Sequence, residues 1–234
     1  MNGVNVFDYS IESNMELVNV VCLYWGNKYS IDYVNKLYSM VKRNLSVPHQ
    51  FICYTNHPSL TFSEGIITKG LPFDQYEGWF NKLTLFSNEA DLKGNNLYLD
   101  LDVVILENLD ELATFGSANT FGIINDFKPS NVYNSSVMKF NNITAGHIWT
   151  SFKNDENNML RNHGDQEIIS HFMKDSPHLK IIPDEWTFSY KWSDRKQPRI
   201  YNPNYERMPG KIAVFHGNPN PHESREKYII DNWK

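Results

Sequence analysis

Apolar and polar residues alternate along this chain in blocks whose lengths and periods mark strands and helices in turn. The run Leu17–Trp25 reads as a buried first strand and is broken by Gly26-Asn27. From Ser30 a helix is predicted, because Val34, Leu37, Tyr38 and Val41 fall at the i, i+3, i+4, i+7 spacing of one apolar face. Pro48 stops that segment, Gln50–Tyr54 supplies a second strand, and Thr55-Asn56-His57-Pro58 is turn chemistry. Ile66-Ile67 is a third, weaker strand, and Trp79–Asn88 a short helix that turns Leu83 and Phe86 inward. The next strand, Leu97–Leu106, is apolar throughout except at Asp100 and Asp102.

Strand-helix-strand alternation over the first hundred residues predicts a parallel sheet covered by helices, whose ligands sit beyond the carboxyl ends of the strands. The second half is less regular. It offers strands at Thr120–Ile124, Ser136–Phe140, Leu179–Ile182 and Ile212–Phe215, a helix over Asp165–Met173, and a long ordered loop region between Pro183 and Pro209. Neither a repeat nor a linker divides the chain, so residues 1–234 are expected to form one domain behind a polar leader, 1–16.

Composition narrows the function. At 41% hydrophobic and 14% aromatic, the 234 residues suit a folded domain with a substantial core. A net charge of -5 without a long basic block argues against binding to a nucleic-acid backbone. Cys22 and Cys53 lie in strand-like segments without CxxC spacing and are expected to be buried free thiols. No apolar stretch approaches the roughly 18 residues of a membrane span. The polar start has no apolar signal segment, so a soluble cytoplasmic protein is expected.

The aspartates carry the sharpest chemistry. Side chains alternate along a strand, so Asp100 and Asp102 are expected to project the same way. Paired carboxylates at the end of a buried strand repel each other and lose hydration, and Mg²⁺ or Mn²⁺ relieves both costs. The plain alternative is that they end the strand and cap a turn.

Four strings in order make the chain resemble a known family: Trp79-Phe80-Asn81-Lys82-Leu83; Leu99-Asp100-Leu101-Asp102; Asn134-Ser135-Ser136-Val137-Met138 with Gly164-Asp165-Gln166; and Phe215-His216-Gly217 with Pro219-Asn220-Pro221. Together they resemble the GT-A fold glycosyltransferases, especially the retaining glycogenin-like and galactosyltransferase-like group, and small sugar transferases of bacteria and large DNA viruses. The resemblance runs from about residue 18 to residue 221. It implies an α/β fold of GT-A (Rossmann-like) type, with a mixed, mainly parallel sheet flanked by helices in a single domain.

The resemblance also implies a chemistry. Asp102 would be the firmer ligand of Mn²⁺ or Mg²⁺, Asp100 would be shared between the metal and a ribose, and His216 would be the late metal ligand. The donor would be a nucleoside diphosphate sugar, UDP-linked, whose departing diphosphate a preplaced cation stabilises. The acceptor would be a glycan, a lipid-linked sugar or a protein. Lys82 would lie between donor phosphates and sugar, Asn134 and Ser135 would face the sugar, and Asp165 and Gln166 would lie near the reacting carbon. Tyr24 and Trp25, which end the first strand, read as flanking the nucleobase, with packing in the core or at its rim as the equal alternative, and Gly217 would let the backbone approach a phosphate. Asp165 reads equally as a first-turn helix acid, and Lys82 as a solvated helix lysine. Asp184 and Glu185 are placed on the acceptor side, and His222 and Glu223 near the diphosphate loop. Trp186, Tyr190 and Trp192 read as packing of the loop region, with an acceptor stacking platform as the alternative.

The chain departs from the pattern in its last string. The family has two residues between its histidine and glycine, and a lysine that would fall where this chain has Asn220. Arg195, Lys196, Arg199 and Arg225 are the candidates to replace that charge. Two rivals stay open: a haloacid-dehalogenase-like phosphatase, in which the first aspartate is the nucleophile, and a non-catalytic domain that binds nucleotide-sugars or glycans.

Overall fold

The computed structural model describes residues 16–193, 197–198 and 209–234; the leader through residue 15 and Arg195, Lys196 and Arg199 lie outside them. β1 (Val18–Tyr24), β2 (His49–Thr55), β3 (Ile66–Gly70) and β4 (Asn95–Leu99) open a seven-stranded sheet, with α1 (Ile31–Asn44) between the first two. α2 (Asn81–Thr84) precedes β4, and β5 (Val103–Ile105) and α3 (Asp110–Ala113) follow it. The sheet is completed by β6 (Phe121–Asn125), β7 (Tyr133–Phe140) and β8 (Leu179–Ile181), in the order β3-β2-β1-β4-β7-β6-β8. Every neighbouring pair is parallel except the two pairs that involve β7, which therefore runs against the other strands.

Between β7 and β8 stand α4 (Asn142–Asn154), α5 (Glu156–Asn162) and α6 (Asp165–Met173). The end of the chain supplies β9 (Thr187–Ser189), a short antiparallel pair of β10 (Trp192–Ser193) and β11 (Gln197–Pro198), β12 (Ile212–Val214) and α7 (Lys227–Asn232). A second, three-stranded sheet has the order β5-β12-β9.

Period-two alternation divides the core between the two faces of the large sheet. Val20, Cys22 and Tyr24 of β1 pack with Val34, Leu37 and Val41 of α1 and with the small sheet. Val21 and Leu23 turn to the opposite face, where they join Ile148 and Phe152 of α4 and Ile168 and Ile169 of α6. The expected spacing of Val34, Leu37 and Val41 thus buries the predicted face of α1, whereas Tyr38 is half-buried beside it. Cys22 and Cys53 are register partners on β1 and β2, buried and free.

Three expectations need correction. The predicted strand Leu97–Leu106 is two strands in two sheets, separated by a turn that carries Asp100, Leu101 and Asp102. The predicted helix Trp79–Asn88 is a 3₁₀ turn at Gly78–Phe80 followed by one turn of α2. α4 was not anticipated, because Thr144, Gly146 and Thr150 are poor helix formers; yet Ala145, Ile148, Trp149 and Phe152 recur at helical spacing and form its buried face.

Leu37 lies on the buried face of α1, in the cluster shared with β1 and β5, and has no solvent exposure. Leu37→Ala is expected to lower stability by about 2–5 kcal/mol, read from the midpoint of urea denaturation at unchanged slope.

Candidate active site

The turn between β4 and β5 carries the chain from the large sheet to the small one. The Asp100 N–H donates to the Ser136 carbonyl of β7 at 2.9 Å, and the Phe215 N–H donates to the Asp102 carbonyl at 3.1 Å. One end of the turn is thereby fixed to the large sheet and the other to the strand that leads to His216. Both aspartates face one cleft of about 380 Å³. The shared direction inferred from strand alternation holds, but a turn produces it.

β7 is distorted where it meets this turn. Its pairing with β6 passes from Ile123↔Met138 to Ile124↔Asn134, so extra residues bulge out of the ladder at Ser135–Val137. The bulge brings Asn134, Ser135 and Ser136 to the cleft wall. The Ser136 N–H donates to Asn134 Oδ1 at 2.9 Å, and the Ser135 N–H to Gln166 Oε1 at 3.1 Å.

Lys82 ties these pieces together. From α2 its Nζ reaches Asp100 Oδ1 at 3.0 Å and Asp165 Oδ2 at 3.2 Å, and donates to Ser135 Oγ at 2.9 Å. Burial alone would depress its pKa, but Asp100 and Asp165 outweigh that and hold it above the ordinary lysine value. Ser135 Oγ in turn donates to Asp165 Oδ2 at 2.6 Å, and the Tyr98 hydroxyl donates to Asp100 Oδ1 at 2.7 Å. Asp165 is the first residue of α6, so its charge also meets the positive end of that helix. The reading of Lys82 as a solvated surface lysine is therefore excluded.

Asp102 is in a different state. Its side chain is buried, and among the described residues no lysine or arginine lies within ion-pair distance of it. Burial and the neighbouring Asp100 raise its pKa, opposed by Lys28, the Tyr29 hydroxyl at 3.1 Å and the Gly217 N–H at 3.5 Å. His216 follows β12 in the left-handed region, with φ 34°, stacked on Phe127 and with Nε2 2.6 Å from Ser189 Oγ. Burial, then Lys191 and Lys128, push its pKa down to about 4, so the imidazole is neutral at pH 7.

Trp25, Lys82, Asp100, Asp102, Asn134, Ser135, Asp165, Gln166 and His216 all line the cleft. Gly217 stands behind His216 with φ 99° and its N–H toward Asp102. Tyr24 does not reach the cleft: adjacent strand residues point to opposite faces, so Leu23 and Trp25 face the cavity while Tyr24 packs on His57 and Phe62. Asp184 and Glu185 are exposed and outside the cleft, with Asn125 Nδ2 donating to Asp184 at 3.1 Å. His222 contacts Tyr33, and Glu223 accepts from the Asn220 N–H. Trp186 packs on Phe115 and Tyr190 on Phe215, as loop packing requires, while the Trp192 side chain lies outside the described residues. Among the described residues no three His, Cys, Asp or Glu side chains gather closely enough to hold a metal ion as they stand.

The cleft is also lined by Trp79 of the first motif string and by residues that the sequence reading missed: Lys28, Tyr29, Tyr98, Asp126 and Lys128. Two signals pointed to some of them. Tyr98 lies two residues before Asp100, and Lys28 and Tyr29 follow the carboxyl end of β1, where ligands of such sheets bind.

Solved structures share this architecture. An active-site mutant of LgtC superposes with a TM-score of 0.60 at 14% identity, over 89% of this chain and 91% of that one. The galactosyltransferase LgtC in complex with donor and acceptor sugar analogues gives 0.60 at 15% identity, over 87% and 88%. The glycosyltransferase GlyE of Streptococcus pneumoniae TIGR4 gives 0.66 at 15% identity, over 92% of this chain and 61% of that one. The chain has the GT-A fold. At these identities the likeness concerns the fold. No protein-family model matches the chain, and no curated protein matches its sequence.

In this GT-A framework the cleft lies beyond the carboxyl ends of β1 and β4, with the bulge of β7 and the start of α6 forming its other wall. No helix among the described residues is long and apolar enough to cross a membrane.

Two measurements test these electrostatics. Lys82→Met leaves Asp100 and Asp165 facing each other without their cation and is expected to cost about 3–5 kcal/mol in urea denaturation. Pairing it with Asp165→Asn should cost less than the sum of the single changes. His216 has a folded pKa below its unfolded value, so the unfolded chain gains the proton first as pH falls from about 6.5 toward 4. Its contribution to stability, present at pH 7, should decline by roughly 1–2 kcal/mol at pH 5, and His216→Gln should flatten that part of the pH profile.

Proposed function

We propose that the chain is a metal-dependent glycosyltransferase that moves a sugar from a nucleoside diphosphate donor, UDP-linked, to the hydroxyl of a glycan, lipid-linked sugar or protein acceptor. The observation that carries this reading is Asp102. It is a buried carboxylate without an ion-pair partner among the described residues, facing the same cleft as Asp100 and the neutral His216. Its raised pKa reflects burial first and repulsion from Asp100 second, and a bound cation would relieve both costs. Two carboxylates and one neutral imidazole suit Mn²⁺ or Mg²⁺, so the donor set fits such an ion in its chemistry. When bound, the ion would neutralise charge that develops on the departing diphosphate.

The remaining groups act on the sugar. Asn134 Oδ1 already accepts from the Ser136 N–H, which leaves its amide N–H groups to donate to a sugar hydroxyl. Gln166 and Asp165 are oriented by Ser135, and their oxygens stabilise positive charge on the anomeric carbon. The bond from that carbon to the phosphate oxygen breaks with its electron pair on the diphosphate. The acceptor oxygen forms the new bond and passes its proton to the leaving phosphate. Retention of configuration is part of the proposal and rests on the resemblance.

Nucleotide release from a panel of UDP-, GDP- and TDP-sugars, with and without Mn²⁺, tests the assignment. Release from one donor that requires the metal and falls at least about 100-fold in Asp102→Asn is expected, in line with loss of a group that stabilises developing charge. Turnover near wild type in Asp102→Asn would contradict the metal assignment. Release of phosphate from a simple ester without any nucleotide would favour the phosphatase.

A further inference from the structure

Trp79 belongs to the first motif string, but the proposed reaction uses only Lys82 of that string. Its indole is 58% exposed, and it is the one aromatic ring among the large apolar side chains that the described residues leave exposed. A single exposed apolar side chain is ordinary on a protein surface. This one forms part of the wall of the cleft, beside Lys82, Asp165 and Gln166. Trp186 and Tyr190, the earlier candidates for a stacking platform, are taken up by packing on Phe115 and Phe215 and do not line the cleft.

The backbone holds the ring at this place. Gly78 takes φ 63°, a conformation that favours glycine, and its carbonyl accepts from Asn81 Nδ2 at 3.0 Å. Asn81 and Lys82 are buried, which anchors the 3₁₀ turn at its carboxyl end. A Cβ on Gly78 would lie 3.7 Å from Trp25 Cη2, and a Cβ on Gly164 would lie 3.5 Å from Trp79 Nε1. Gly164 directly precedes Asp165 and Gln166, so the indole stands next to the groups assigned to the reacting carbon. Among the described residues its ring neighbour is Phe80, with centroids 6.3 Å apart, and its N–H has no hydrogen-bond partner.

Burial separates two roles along this wall. Asp165 is buried, and the donor sugar must reach down to it, whereas an acceptor enters from solvent and meets the exposed indole first. An indole face suits a sugar ring, whose C–H bonds cover apolar area while its hydroxyls turn to polar groups. The serine or threonine hydroxyl of a protein acceptor offers no such face.

We propose that the acceptor is a saccharide whose terminal ring stacks on Trp79, with one hydroxyl turned toward the anomeric carbon near Asp165 and Gln166. This assignment deepens the transferase reading above and rests on it. A free glycan and a lipid-linked sugar present the same ring, and the test separates them.

Fluorine NMR of protein labelled with fluorotryptophan tests the assignment in the presence of UDP and Mg²⁺. The Trp79 resonance is the one missing from Trp79→Phe. It is expected to shift saturably with at least one methyl glycoside of glucose, galactose, mannose or N-acetylglucosamine. The matching octyl glycoside should bind equally well if a free glycan is the acceptor, and about 10-fold more tightly if the acceptor is lipid-linked; both results support the proposal. No shift with any glycoside, or a shift with a serine-containing peptide alone, overturns it. A shift completed by UDP alone assigns the indole to the donor and overturns it too. In nucleotide release from the donor that the protein turns over, Trp79→Ala is expected to raise the acceptor KM about 10-fold and the donor KM no more than about 2-fold, and Trp79→Phe should keep both within about 3-fold. An equal rise in both constants is the mark of a purely structural role and overturns the proposal. A saturable glycoside shift in a protein that releases nucleotide from no donor would leave the saccharide site standing and remove the transferase reading.

Discussion

The buried ammonium of Lys82 is the interaction on which the cleft depends. It lies between two carboxylates from distant parts of the chain, Asp100 at the end of β4 and Asp165 at the start of α6, and also donates to the bulge of β7. Without it, the two carboxylates would face each other with only hydroxyl donors and the start of α6 to hold their charge. With it, the turn, the bulge and the helix share one geometry. The cost of burying a lysine is offset because each carboxylate also receives a hydroxyl, Tyr98 on Asp100 and Ser135 on Asp165.

That arrangement divides the two aspartates by function. Asp100 is satisfied by protein groups before any ligand arrives. Asp102, two residues on, receives a phenol and a long backbone contact among the described residues, and carries a raised pKa. A turn between two sheets permits this division because its ends are fixed to different partners, β7 on one side and β12 on the other. The same carboxylates on a continuous strand would have faced one environment.

Much of this was legible in the sequence, and the reasons differ by element. Periodicity located β1, α1, β2 and α6, because each buries a regular face and regular burial leaves a regular pattern. The motif residues assigned to a site were found by their order in the chain, and the fold gathers eight of them, with Trp25, around one cleft. Tyr24 turns away from the cleft for the reason that Trp25 lines it: adjacent residues at the end of a strand point to opposite faces. The β4–β5 turn was hidden because apolar residues continue on both sides of it, and burial in two successive sheets looks like burial in one strand.

The central claim is that this cleft holds a nucleoside diphosphate against a cation carried by Asp102 and His216. Anomalous diffraction from crystals soaked in MnCl₂ and UDP tests it most directly. The expected result is a manganese peak within coordination distance of Asp102 and His216, with the diphosphate beside that peak in the cleft. A nucleotide bound in the cleft without metal at Asp102, or manganese bound at another site, would contradict it.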